Sequence, residues 1–125
     1  PYIILNGNSS SQTVFQGSVF NRFSVANSTG GITWNATNGR ITVSEGGLYL
    51  ITAFTNGSNS DSAGFTLNRN GGAIGISTQG QVSGTMNLTL INPLNANDYV
   101  TMIASRNSYV NTGPNNQKIM LYKLG

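Results

Sequence analysis

The sequence predicts an all-β protein, an antiparallel sandwich or jelly roll. Three observations carry the prediction. Short apolar-rich segments recur at intervals of about ten residues, with Gly, Asn and Pro turn signals between them. Several of these segments alternate apolar and polar residues, the pattern of a half-buried strand. No segment sustains a helical period.

Composition fits a folded domain with an uncharged surface. Charged residues make up only 7% of the 125 residues, against about a quarter in an average globular protein. Asn, Ser and Thr together supply roughly a third of the chain. The regularly spaced aromatic and β-branched residues argue against disorder, which is poor in both. The length fits one domain over 1–125 with a single core. The net charge of +3 comes from Arg22, Arg40, Arg69, Arg106, Lys118 and Lys123 against Glu45, Asp61 and Asp98. These cations are scattered singly, without the clustered footprint of a nucleic-acid binder. No apolar run approaches the ~18 residues of a membrane span, so neither nucleic acid nor membrane is an expected partner. Residues 1–5 lack the basic region of a secretory leader. An opening Pro1 fits removal of an initiator Met and synthesis in the cytoplasm.

The first apolar run, residues 1–5, breaks at Asn6-Gly7. Residues 12–25 resume it, with Gly17 marking a bulge or a break. A turn over 27–31 leads to a short strand at 32–34, and Asn38-Gly39 turns the chain into 40–44. After Gly46-Gly47, residues 48–54 are apolar almost continuously, which predicts burial of both faces. A polar loop is expected over 56–63. Residues 64–68 and 73–77 flank Arg69-Asn70-Gly71-Gly72, a strong hairpin signal. Residues 85–91 alternate cleanly, 92–98 read as a turn around Pro93, and 99–104 as an apolar strand. A long Asn-rich loop over 106–117 precedes the last strand at 118–124.

The chemistry is sparse. The sequence has no His and no Cys, which removes the commonest general base, the thiolate nucleophile and the usual zinc ligands. Its three carboxylates stand far apart in turn-like segments. A glycosidase needs two of them across a cleft, and only Asp61 with Asp98 offers that chance. Either could also serve a calcium site with backbone carbonyls, but both read as ordinary turn aspartates. No enzymatic activity, metal or cofactor is expected. Asn-x-Ser/Thr triplets at Asn8, Asn27, Asn35, Asn56 and Asn87 are about as frequent as this composition produces by chance. Trp34 could stack on a sugar, but a lone Trp in a strand reads first as core or interface.

The central segments, taken in order, resemble the complement-1q-like globular head of the tumour-necrosis-factor-like jelly-roll superfamily. Trp34-Asn35-Ala36-Thr37-Asn38-Gly39-Arg40-Ile41 is similar to the family's aromatic–Asp–x–x–Thr–Gly–x–Phe turn. Gly46-Gly47-Leu48-Tyr49-Leu50-Ile51 is similar to its Pro-Gly–x–Tyr–x–Phe strand. Leu67-Asn68-Arg69-Asn70-Gly71 resembles a Leu-x-Lys-Asn-Gly hairpin, and 83–90 a Ser-Gly strand. Asn97-Asp98-Tyr99-Val100 resembles a Gly-Asp-x-Val turn, and Lys118-Ile119-Met120-Leu121-Tyr122 the final Phe-Leu-Leu-Tyr strand. Asn35 stands where the family has Asp, and Gly46 where it has Pro. The family's calcium-binding acidic cluster and its cysteines have no counterpart here.

The resemblance implies a ten-stranded antiparallel jelly roll that assembles as a homotrimer. The apolar strands give this separate support, because a two-layer sandwich buries only one face of each strand. Alternation then assigns Leu50, Thr52, Phe54, Tyr99, Thr101 and Ile103, with Met120 and Tyr122, to a threefold interface. A trimer without catalytic groups suits a virion structural role, as a capsid decoration protein or a short fibre head bound to a major capsid protein or another virion protein. Tyr2, Ile3, Ile4 and Leu5 would then dock on the capsid by strand addition, unless they simply form the first strand. The alternative is an extracellular receptor- or glycan-binding head acting through the loops at 56–63 and 106–117.

Overall fold

A computed structural model describes residues 1–9, 11–57, 63–79, 84–111, 113 and 116–125. All regular structure among them is β. The strands are β1 (Tyr2–Gly7), β2 (Ser11–Val14), β3 (Phe23–Thr29), β4 (Thr33–Asn35), β5 (Arg40–Thr42) and β6 (Gly47–Gly57). They continue with β7 (Ala63–Arg69), β8 (Gly72–Gln79), β9 (Gly84–Leu94), β10 (Tyr99–Ala104), β11 (Ser108–Asn111) and β12 (Gln117–Lys123).

Ten of these strands form two antiparallel five-stranded layers, the expected jelly roll. One layer runs β9-β6-β12-β1-β3 and the other β4-β5-β10-β7-β8. The remaining pair, β2 and β11, extends the first layer by pairing Val110 and Asn111 with Gly57 and Asn56, beyond the end of β12.

Alternation decides what the layers bury. In β6 Tyr49, Ile51 and Ala53 point into the sandwich, as do Ile3 and Leu5 of β1 and Ile119 and Leu121 of β12. From the opposite layer come Ile41, Phe65, Leu67, Val100 and Met102, all fully buried. Phe20 packs edge-on against Phe65, with ring centroids 6.4 Å apart. The buried Tyr49 hydroxyl donates to the Glu45 carbonyl at 2.7 Å, so its polar tip is satisfied at the rim. Burial, with the Glu45 charge adding to it, raises the pKa of that hydroxyl.

Turn chemistry places the strand ends. Asn70 and Gly71 both have positive φ, 50° and 87°, as a two-residue hairpin between β7 and β8 requires. At the Trp34 turn, Gly39 has φ 68°. A Cβ there would collide with Val19 Cγ2, so both the backbone and the space demand glycine.

Three sequence expectations shift. The 92–98 turn is shorter, because β9 continues through Pro93 to Leu94. Among the described residues β9 pairs with β6 alone, and such an edge strand tolerates proline. The turn over 27–31 begins later, since β3 continues to Thr29 along β1. The Asn-rich loop contains β11, which its polar composition concealed.

Candidate self-association face

The outer face of the β9-β6-β12-β1-β3 layer is the most distinctive surface among the described residues. Register sets its side chains in rows across the strands. One row reads Ile91, Leu50, Tyr122, Tyr2, and the next Thr89, Thr52, Met120, Ile4. A third reads Asn87, Phe54, Lys118, Asn6. Beyond the first row, Leu48 lies opposite Pro93. None of these side chains is buried, and Ile91 is 57% exposed. The Tyr2 and Tyr122 rings stack with centroids 5.5 Å apart, and the Thr52 and Thr89 hydroxyls share a hydrogen bond of 2.7 Å.

The face is graded. Leu48, Leu50, Ile91, Tyr122 and Tyr2 make one end apolar, while amides and hydroxyls take over at the other. There Thr85 donates to Asn56 Oδ1 at 2.6 Å, and Asn56 donates to Asn116 Oδ1 at 2.7 Å. Exposed apolar sheet faces are candidates for interaction surfaces.

Five of the eight residues assigned to a threefold interface meet here: Leu50, Thr52, Phe54, Met120 and Tyr122. The other three do not. Tyr99, Thr101 and Ile103 do point outward, but from β10 in the opposite layer. Alternation gives a strand's two faces without saying which layer the strand joins, and that is where the assignment fails. Tyr99 lies under the Arg40 guanidinium, 4.0 Å from the ring centroid. Thr101 is buried, and Ile103 bridges to Val19. Sequence reasoning missed Tyr2, Ile4 and Ile91 as members of the face. The alternation of 85–91 was the available signal for Ile91.

The docking role assigned to Tyr2, Ile3, Ile4 and Leu5 is also corrected. β1 is an internal strand, paired along one edge with β12 and along the other with β3. Ile3 and Leu5 are fully buried. Neither edge of β1 is free to add to another sheet, so the segment is the first strand of the jelly roll.

Asp98, weighed as a calcium ligand, is already occupied. Its Oδ1 accepts from Asn70 Nδ2 at 2.7 Å, and its Oδ2 accepts from the Asn95 N–H at 2.7 Å and from Arg69 Nε at 2.8 Å. These donors lower its pKa, the Asn70 hydrogen bond most, because each favours the ionised form. The cluster ties the β7–β8 hairpin to the turn before β10. The loop expected over 56–63 is shortened by β6, which runs to Gly57, and by β7, which starts at Ala63; its residues 58–62, with Asp61, lie outside the described residues. Among the described residues no three potential acidic, His or Cys ligands converge. Trp34 packs edge-on against Phe23, and its Nε1 donates to the Phe23 carbonyl at 3.3 Å, so the ring serves the core rim.

No protein-family model matches the chain, and no curated protein matches it in sequence. Solved structures do match in shape. Eiger TNF from S. frugiperda superposes with a TM-score of 0.88 at 16% identity, covering 99% of this chain and 92% of that one. The chain has a tumour-necrosis-factor/complement-1q-like jelly-roll fold. Murine APRIL matches with a TM-score of 0.75 at 13% identity, over 98% of both chains. The globular domain of zebrafish complement 1qA matches at 0.71 and 15%, covering 100% of this chain and 98% of that chain. At such identities the likeness concerns the fold alone.

Proposed function

We propose that the protein is a non-enzymatic head domain that assembles as a homotrimer through the outer face of the β9-β6-β12-β1-β3 layer and serves as a virion structural protein. The observation that carries the assembly is the row of Ile91, Leu50, Tyr122 and Tyr2, continued by Met120 and Ile4. These apolar side chains lie uncovered in the middle of a sheet whose other face already forms the core. Water contact over that area is unfavourable, and packing this face against neighbouring copies around a threefold axis removes it. The similarity to tumour-necrosis-factor-like domains supports three copies as the closing number. The virion role, as capsid decoration protein or short fibre head, is supported by the neutral Asn, Ser, Thr surface and the dearth of catalytic groups. Attachment would use the rim or loops, since β1 is internal.

Sedimentation equilibrium tests the assembly, with a trimer expected at micromolar concentration. Cryo-microscopy of particles carrying the protein tests the location, with protruding trimers expected. A second reading, a receptor- or glycan-binding head, draws support from the fold shared with complement 1qA and tumour necrosis factor. Glycan-array binding together with failure to bind capsids would favour it and reject the virion role.

A further inference from the structure

We propose that the trimer encloses a small multivalent oxyanion of the phosphate or sulfate kind, held by the Lys118 ammonium groups of its three copies. The inference rests on the trimeric reading above. Lys118 sits on β12, the middle strand of the layer, in the row between Phe54 and Asn6 and beside Met120. A threefold axis running along the middle strand of this face would therefore gather Lys118 from every copy. Its side chain is half-buried in the isolated chain already. No Asp or Glu side chain among the described residues shares the face. Glu45 lies in the turn before β6 at its apolar end, and Asp98 is held at the end of the opposite layer by Arg69, Asn70 and Asn95.

Assembly about that axis brings three cations into one interior, with no Asp or Glu counter-charge on the face among the described residues. A buried charge demands a partner, and like charges gathered around an axis repel. One multivalent anion answers both, since each ammonium offers three donors and a tetrahedral oxyanion offers acceptors on every side. The same row holds a further sign of incompleteness. Asn6, directly across from Lys118, has a buried Oδ1 with no hydrogen-bond partner in the isolated chain. That oxygen is an unused acceptor in the same row as the ammonium. The site is incomplete in one copy and needs all three.

The test is sedimentation equilibrium of the whole protein in sodium phosphate and in sodium chloride at matched ionic strength. Wild type is compared with Lys118→Met and Lys118→Arg. For wild type, phosphate at ten times its Kd is expected to raise the trimerisation constant about tenfold. Lys118→Arg keeps the charge and should keep the response. Lys118→Met should form a trimer that ignores the anion. Phosphate also strengthens apolar burial in general, so an equal response in wild type and Lys118→Met overturns the site while leaving the trimer standing. A wild-type trimer indifferent to phosphate does the same. A monomer under every condition overturns the trimeric reading, and the site with it.

Discussion

Replacing Leu50 by alanine tests the self-association face most directly. Leu50 stands in the centre of the apolar row, between Ile91 on β9 and Tyr122 on β12, and its side chain points away from the core. It is half-exposed in the isolated chain, so truncation should leave the monomer folded. Covering the rest of a leucine is worth about 1–2 kcal/mol, part of the full value for complete burial. The trimer contains three copies, so the loss is about 3–6 kcal/mol of assembly free energy, or two to four decades in the cubic dissociation constant at about 1.4 kcal/mol per decade. The midpoint concentration varies as the square root of that constant. It should therefore rise about 10–100-fold, which sedimentation equilibrium over a concentration series resolves. Ile76→Ala is the matched control, an exposed aliphatic on β8 of the opposite layer, and should not move the midpoint. An unchanged midpoint for Leu50→Ala, with circular dichroism showing a folded protein, would refute the assignment of this face.

Asp98→Ala should cost about 2–4 kcal/mol in chemical denaturation, because it strands the hydrogen-bond donors of Asn70, Asn95 and Arg69. The Asp98 pKa is lowered in the fold. Its ionised form therefore stabilises the protein fully above the unfolded value of about 4, and that contribution is lost as the pH falls through the lower folded value. Unfolding titrations should accordingly show Asp98→Ala less sensitive than wild type to acid below about pH 4. Gly39→Ala should lower stability by about 1–3 kcal/mol, measured as a shift in the urea midpoint. Its φ of 68° and the collision an added Cβ would make with Val19 both oppose a methyl group. Deleting residues 1–5 should abolish cooperative unfolding, since Ile3 and Leu5 belong to the core. A truncated chain as stable as the whole would return β1 to the role of a docking arm.

Much of the fold was legible in the sequence because its signals are local. Asn70-Gly71 fixes a hairpin by backbone conformation alone, and the alternation in 48–54 states which side chains share a face. The two-faced character of β6 could be read from composition, since Leu50 and Phe54 are too apolar for a solvated surface. The Pro93 segment was misread because proline marks a turn only where its missing N–H matters, and an edge strand does not need it. β11 went unread because a four-residue strand of Ser, Tyr, Val and Asn carries no strong apolar pattern.

The sequence by itself determined an all-β jelly roll, its main turns, and that some strands carry more apolar surface than one core needs. Tertiary structure alone decided how that surplus is distributed. Strand order is non-local: β6, β9 and β12 become neighbours across long separations, while β10 joins the other layer. The same alternation therefore places Leu50, Phe54, Met120 and Tyr122 on one face and Tyr99, Thr101 and Ile103 on the opposite side of the molecule. Pairing on both edges made β1 a core strand, and register set Lys118 between Phe54 and Asn6. A period of two assigns faces, but only the register of hydrogen-bonded neighbours assembles those faces into a site.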